Sequence, residues 1–500
     1  MNEDLEHYFA AFRKNIIGID RSIPGPVGEV PVVYADWIAS GRLYGPIERR
    51  MMDIAYPFIA NTHSESSALG ASMTRAYHEA RQIIKDHVNA SKDDVLITTG
   101  SGMTGAVNKL QRILGLRIPE RARGLCHRGS CEIPESERPV VFITHMEHHS
   151  NHTSWLETMA DVVVLEPDSQ LLVVPEVLEQ QLKRYEHRPI KIGSFSAGSN
   201  VTGIRPPYRQ LARLMHQYGG IALVDFAAAA PYDQIDMHPA GDPLGYFDGI
   251  YYSPHKFLGG PNSPGIVIFN KKLYHNSTPD DPGGGTVVWT NQWEHAHYVS
   301  DIEQREDGGT PAFLGTIRAA LAMKLKETMG VKQIHAREEE LLEKAFAILK
   351  GIPKLHILAE DSVDRLGALS FYFDHLHYNL VVKLLSERYG IQVRGGCSCA
   401  GTYGHYLLHI DQKWSHSIAC KVDSGDLSSK PGWVRLSIHP TMTDAELEYI
   451  LNAVREIGEK GYLWQEDYVF DKTKAEFLRV DGKDYSAFSM EALFSTEGLF

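Results

Sequence analysis

From residue 46 to about 310, short apolar runs alternate with stretches of helical period. The runs are DVLITT (94–99), PVVFIT (139–144), VVVLEP (162–167), KIGSFS (191–196), IALVDF (221–226) and GIVIFN (265–270). They are short and rich in apolar and β-branched residues, and in alternation with amphipathic helices they suggest strands covered on both faces. Helical segments IERRMMDIAYPFIAN, ASMTRAYHEARQIIKDHV and PYRQLARLMHQYG lie before and between them. The pattern predicts an α/β domain with a mainly parallel sheet. A further helix, GTIRAALAMKLKETMG, leads into a second α/β pattern: ALSFYF (368–373), YNLVVKLLSERYG (378–390), IQVRGG and WVRLSIH (433–439). At the other end, the first seventeen residues read as helical, the run from Pro24 to Gly28 breaks them, and VVYAD (32–36) reads as a strand. The expected division is a large domain over 46–314, a small domain from 1–45 and 315–464, and a tail over 465–500. Residues 117–138 are polar and breaker-rich, and read as an inserted surface loop.

Composition narrows the class. With 500 residues, 43% hydrophobic and 23% charged, the chain can bury a large core. A net charge of −13 opposes nucleic-acid or anionic-membrane binding. Cys126, Cys131, Cys397, Cys399 and Cys420 are too sparse for a disulfide framework, so a cytoplasmic protein is expected. No signal-like segment opens the chain, and no apolar run approaches the ~18 residues of a membrane span.

The chemistry-bearing residues sit at strand ends. Lys256, in YYSPHKFLGG, follows a strand-like run and precedes a glycine turn, as a Schiff-base lysine would. Ser253 and His255 before it can donate to a phosphate. Asp225 ends an apolar strand at the edge where parallel sheets bind ligands, and a carboxylate there can pair with a pyridinium nitrogen. Gly100-Ser101-Gly102-Met103-Thr104-Gly105 follows a strand and opens a helix, a phosphate cradle by its backbone N–H groups. That string also matches a dinucleotide turn, so a nicotinamide-dependent oxidoreductase is the competing class. His145, His148, His149 and His152 cluster after PVVFIT, where a histidine can stack on a flat cofactor or metal can bind. Cys397 and Cys399 follow Arg394 in a glycine-rich loop suited to a nucleophilic thiol. Arg435, in a strand, needs an anion: a substrate carboxylate or a structural acid.

Together these motifs resemble the class V aminotransferase family and, within it, the cysteine desulfurase and selenocysteine lyase group, over residues 32–455. EHHSN resembles the family's E-H-H-x-N signature, which would stack His148 on the ring of pyridoxal 5′-phosphate. SNVTG resembles S-N-V-x-G, which would place Asn200 beside the ring oxygen and the substrate. Asp225 falls on the pyridinium-pairing aspartate, and Ser253, His255 and Lys256 on the phosphate and Schiff-base residues. GGGT (283–286) and the run from Arg305 to Pro311 resemble segments that bring phosphate contacts across a dimer interface, with Thr310 as candidate and Thr286 behind it. VRGGCSCAG resembles the loop of the persulfide-forming cysteine, at Cys399. Arg394 and Arg435 would bind substrate, Arg435 through its carboxylate. The chain departs from the family twice. Its string Asp225-Phe-Ala-Ala228 lacks the family's glutamine, and the stretch after Cys399, 402–432, is long.

The resemblance implies a fold-type-I pyridoxal-phosphate enzyme, homodimeric, acting on a small amino acid. Cysteine would yield alanine and a Cys399 persulfide, passed to a protein sulfur acceptor. The alternative within this chemistry is an aminotransferase or other lyase in which Cys399 is idle.

Overall fold

The computed structural model describes the chain except residues 1–3, 63–64, 101, 126–132, 294–295, 363 and 500, and the side chains of 123–125. The chain forms two compact units, one of residues 38–335 with 362–366, the other of 1–37, 336–361 and 367–500.

The larger unit is built on seven strands: β1 (Asp94–Thr99), β2 (Val140–Thr144), β3 (Asp161–Leu165), β4 (Lys191–Ser196), β5 (Ile221–Asp225), β6 (Gly249–Tyr252) and β7 (Gly265–Asn270). Their order is β1-β7-β6-β5-β4-β2-β3. β2 to β6 pair in parallel, while β7 runs antiparallel to both β1 and β6. The mainly parallel sheet expected from the apolar runs is therefore present. β1 to β6 all point the same way, so Thr99, Thr144, Ser196, Asp225 and Tyr252 end at one edge. Helix Gly102–Ile113 buries Met103, Ala106, Val107 and Leu110 against the sheet, a stripe of helical period. Helix Ala68–His87 starts where Ser67 Oγ accepts from Gly70 N and buries Met73, Tyr77, Ala80 and Ile84.

Three expected elements differ. The helix over 47–61 is helical only through Arg50; a π-helical turn Met51–Ala55 and a tight turn Tyr56–Phe58 follow, where Pro57 supplies no N–H. The opening helix is Leu5–Arg13. Part of the 117–138 loop is a short helix, Glu120–Leu125.

The smaller unit holds an antiparallel sheet ordered Leu355–Ile357, Ala368–Phe373, Trp433–Ser437, Arg394–Gly396. Helices Tyr378–Tyr389 and Asp444–Trp464 share its core. Val33–Tyr34 pairs in parallel with Ile391–Gln392. The long stretch after Cys399 forms two helices, Gly401–Leu407 and Gln412–Asp423. Much of the tail is also ordered: Tyr468–Asp471 and Glu476–Arg479 form a hairpin. Tyr468 and Phe477 join the core, and Tyr468 donates to Glu387 at 2.6 Å. Among the described residues, no helix is long and apolar enough to cross a membrane.

Candidate active site

β6 ends at Tyr252, and Pro254–Lys256 close a single tight turn in which Lys256 N donates to Ser253 O at 3.1 Å. The turn is held from a distant segment: Gly41 N donates to His255 O at 2.9 Å, and Gly259 N to Arg42 O at 2.7 Å. A Cβ at position 41 would overlap the carbonyl of Phe257, so only glycine lets the two segments meet. No local feature around Lys256 announces this clamp.

The phosphate-type residues converge. Ser253 Oγ accepts from Met103 N at 2.8 Å, at the start of helix Gly102–Ile113. Gly102 has φ +60°, and a Cβ there would stand 2.8 Å from His255 Cε1 and 2.9 Å from Ser253 Oγ. A side chain at 102 would fill the cradle that Ser253 and His255 form at a helix N-terminus, where an anion is favoured. Burial, reinforced by the Lys256 charge, holds His255 down to about 4. Ser101 lies outside the described residues.

Asp225 is buried at the end of β5, and its Oδ1 accepts from Ala227 N at 2.8 Å. Burial pushes its carboxyl up to about 6, against the Ala227 hydrogen bond and the Lys256 charge. Lys256 thus acts electrostatically on Asp225 and His255 alike. Asn200 is buried in the turn after β4. His148 caps helix His149–Leu156: its Nδ1 accepts from Ser150 N at 3.1 Å, which leaves the ring proton on Nε2.

Beside these residues lies a buried polar network that the motifs did not reveal. Glu147 accepts from Thr144 Oγ1 (2.7 Å), Ser196 N (2.9 Å) and Asn151 Nδ2 (2.7 Å). Asn151 Oδ1 accepts from Trp155 Nε1 (3.1 Å), Ser194 Oγ (2.6 Å) and Tyr251 Oη (2.8 Å). Burial pushes Glu147 up to about 7, with those donors and then the Asp225 charge as the smaller influences. The glutamate and asparagine of EHHSN were visible; their partners on β4 and β6 looked like ordinary strand positions.

The two glycine segments lie side by side, with Gly309 N donating to Gly284 O at 2.8 Å. Glu306 anchors them, pairing with Lys109 at 2.9 Å and accepting from Tyr274 at 2.7 Å. Thr310 is exposed, whereas Thr286 is buried and donates to Gly283 O within its own turn.

In the smaller unit, Arg435 is buried and paired with Asp36 at 2.5 Å. Asp36 thus supplies an anion to Arg435. Arg394 lies opposite Arg435 in the strand pair and reaches Asp36 at 3.7 Å. Burial pulls the Arg435 guanidinium down, and Asp36 pulls it back up, with Arg394 and Cys399 contributing less. Cys399 is exposed at φ +56°, after Ser398 at φ +51°. Ala400 N closes this turn onto Cys397 O at 3.0 Å. Two successive left-handed residues without glycine store strain of about 1 kcal/mol or more each, as functional turns do. Cys397 is half-buried.

The aminotransferase class-V family model matches residues 130–450. A relative named "probable cysteine desulfurase" from Halalkalibacterium halodurans is 26% identical, over 74% of this chain and 84% of its own. One of the same name from Methanothermobacter thermautotrophicus is 25% identical, over 86% and 95%. Among solved structures, the apo cysteine desulfurase of Thermococcus onnurineus superposes with a TM-score of 0.70 at 21% identity, covering 90% of this chain and 98% of that one. The S-sulfonic acid form of a cysteine desulfurase from Escherichia coli gives 0.68 at 22%, with the same coverage. Nothing in these likenesses supports the nicotinamide alternative. The anion cradle at Gly102, the buried acid at Asp225 and the clamped lysine at 256 are what pyridoxal phosphate requires of a protein, and the chain belongs to the aminotransferase class-V family of pyridoxal-phosphate enzymes.

Proposed function

We propose that the protein is a cysteine desulfurase-like enzyme that removes sulfur from L-cysteine and leaves alanine. The observation that carries the coenzyme half of this reading is the turn bearing Lys256, clamped by Gly41 N on His255 O and set against the cradle that Gly102 leaves open beside Ser253 and His255. Bound pyridoxal phosphate supplies an electron sink for charge developing on the amino acid. Lys256 is the residue that would hold the coenzyme covalently and carry protons to and from the substrate carbon. Asp225 would keep the ring nitrogen protonated, His148 would cover the ring, and Asn200 would bond its oxygen. Ser253, His255 and the backbone N–H of Gly102 would bind the phosphate.

The sulfur half rests on Cys399, displayed on a strained, exposed turn. Its thiolate attacks the cysteine sulfur; the new S–S bond forms as the Cβ–S bond breaks, and the carbon fragment leaves as alanine after taking up a proton. Arg435 and Arg394 supply the positive charge that orients the substrate carboxylate. A protein acceptor would then take the outer sulfur. Two copies would complete each site, with Thr310 reaching the partner's phosphate; exposed Val288, Trp289 and Trp293 fit such an interface. A cytoplasmic location agrees with the free thiols.

Feeding L-cysteine and assaying alanine, with mass spectrometry of the protein, tests this. Cys399→Ala is expected to keep bound coenzyme and lose both products. Full turnover by Cys399→Ala would instead indicate an aminotransferase or another lyase.

A further inference from the structure

Glu147 accepts hydrogen bonds from Thr144, Asn151 and Ser196. Trp155 Nε1 has a hydrogen and no lone pair, so Asn151 must turn its oxygen toward Trp155, at 3.1 Å. Its amide nitrogen then points at Glu147 Oε2, at 2.7 Å, and at Ser194 O, at 3.1 Å. The other carboxylate oxygen receives the backbone N–H of Ser196 at 2.9 Å and of Thr144 at 3.3 Å. Thr144 Oγ1 donates to Glu147 at 2.7 Å and accepts from Met146 N at 3.2 Å. The ionised carboxylate accepts from all four of these donors. Burial and, to a smaller degree, the Asp225 charge favour a proton on Glu147, and the donor shell opposes it.

The groups facing Glu147 from neighbouring elements are Asp225 on β5 and Tyr251 on β6. Ser196, which binds Glu147 through its N–H, lies directly opposite Asp225 in the strand pair. Glu147 therefore stands one strand from the acid assigned to the coenzyme ring, and directly precedes the histidine assigned to cover it.

We propose that Glu147 is a positioning residue that is ionised in the coenzyme-loaded protein, fixes the strand ends carrying His148 and Asp225, and lends a buried negative charge that keeps the nitrogens of bound coenzyme protonated. This rests on the coenzyme reading above. The test is a pH titration of the visible band of the coenzyme-loaded protein. The midpoint is expected to fall by about half a unit or more in Glu147→Gln, the scale of losing one charge in a buried site. It is expected to return to the wild-type value in Glu147→Asp, which restores the charge. A folded, coloured Glu147→Gln protein with a wild-type midpoint overturns the proposal.

Infrared spectra of the wild-type protein, labelled with carbon-13 at its glutamate carboxyls, give a test that needs no variant. No labelled protonated-carboxyl stretch is expected at about pH 9, well above the value to which burial raises Glu147, and finding one there overturns the proposal. Wild-type protein that takes up no colour from excess pyridoxal phosphate would instead sink the coenzyme reading itself.

Discussion

Arg435 donates to Asp36 across 2.5 Å, joining residues 399 positions apart in the sequence. The guanidinium is buried, and that carboxylate offsets part of its charge. Removing one partner of a buried pair leaves the other uncompensated. Asp36→Asn is expected to destabilise the protein by about 3 kcal/mol, the lower end for such pairs because Asp36 keeps some exposure. Urea unfolding followed by tryptophan fluorescence measures it. An unchanged midpoint would show that Arg435 has another anion.

Gly102 is the residue on which the phosphate cradle turns. Gly102→Ala forces a Cβ against Ser253 and His255 and puts alanine at φ +60°. The backbone cost is about 1 kcal/mol, and the fold should survive it. The affinity for pyridoxal phosphate is expected to fall about tenfold or more. Equilibrium dialysis of apoprotein with the coenzyme measures this, and wild-type affinity would remove Gly102 from the site.

His439 predicts an acid limit. It is buried, stacked on Trp37 at 3.8 Å, and its Nδ1 accepts from Thr441 N at 3.3 Å. Burial holds it down to about 3, against an ordinary value of 6.5. The unfolded chain takes up a proton below 6.5, and the folded protein only near 3. Stability from the neutral ring is therefore complete above 6.5 and is lost as pH falls toward 3. Between pH 6.5 and 4.5 this amounts to about 2 to 3 kcal/mol. His439→Gln should flatten the slope of urea midpoint against pH over that range, whatever its effect at neutral pH. An equal slope would contradict the assignment.

The C-terminal hairpin belongs to the core. Phe477 packs with Phe470 and His377 at ring distances of 4.8 and 5.5 Å. Phe477→Ala is expected to cost about 3 kcal/mol in urea unfolding. A cost below 1 kcal/mol would make the hairpin an appendage.

Lys256, Asp225 and the Gly102 turn were legible because each sits where an apolar strand stops, and such ends are local features of the sequence. The seven-strand sheet was legible for the same reason, since strands covered on both faces leave unbroken apolar runs. What stayed hidden depends on distant residues. Asp36 looked like the end of a short strand until Arg435 came beside it. Ser194 and Tyr251 sit inside apolar strands, where a hydroxyl shows no purpose without its partner Asn151. Helix Gln412–Asp423 buries no residue, so it has no apolar stripe to announce it. Gly401 and Gly404 lie within the helix before it, and made the region read as loop.

The account turns on one covalent site. Incubating the protein with pyridoxal phosphate, reducing with borohydride and sequencing the tagged peptide by mass spectrometry tests it most directly. A single pyridoxyl adduct on Lys256, absent from Lys256→Ala, is the predicted result. A protein that takes up no adduct, or carries it on another lysine such as the buried Lys326, would contradict it.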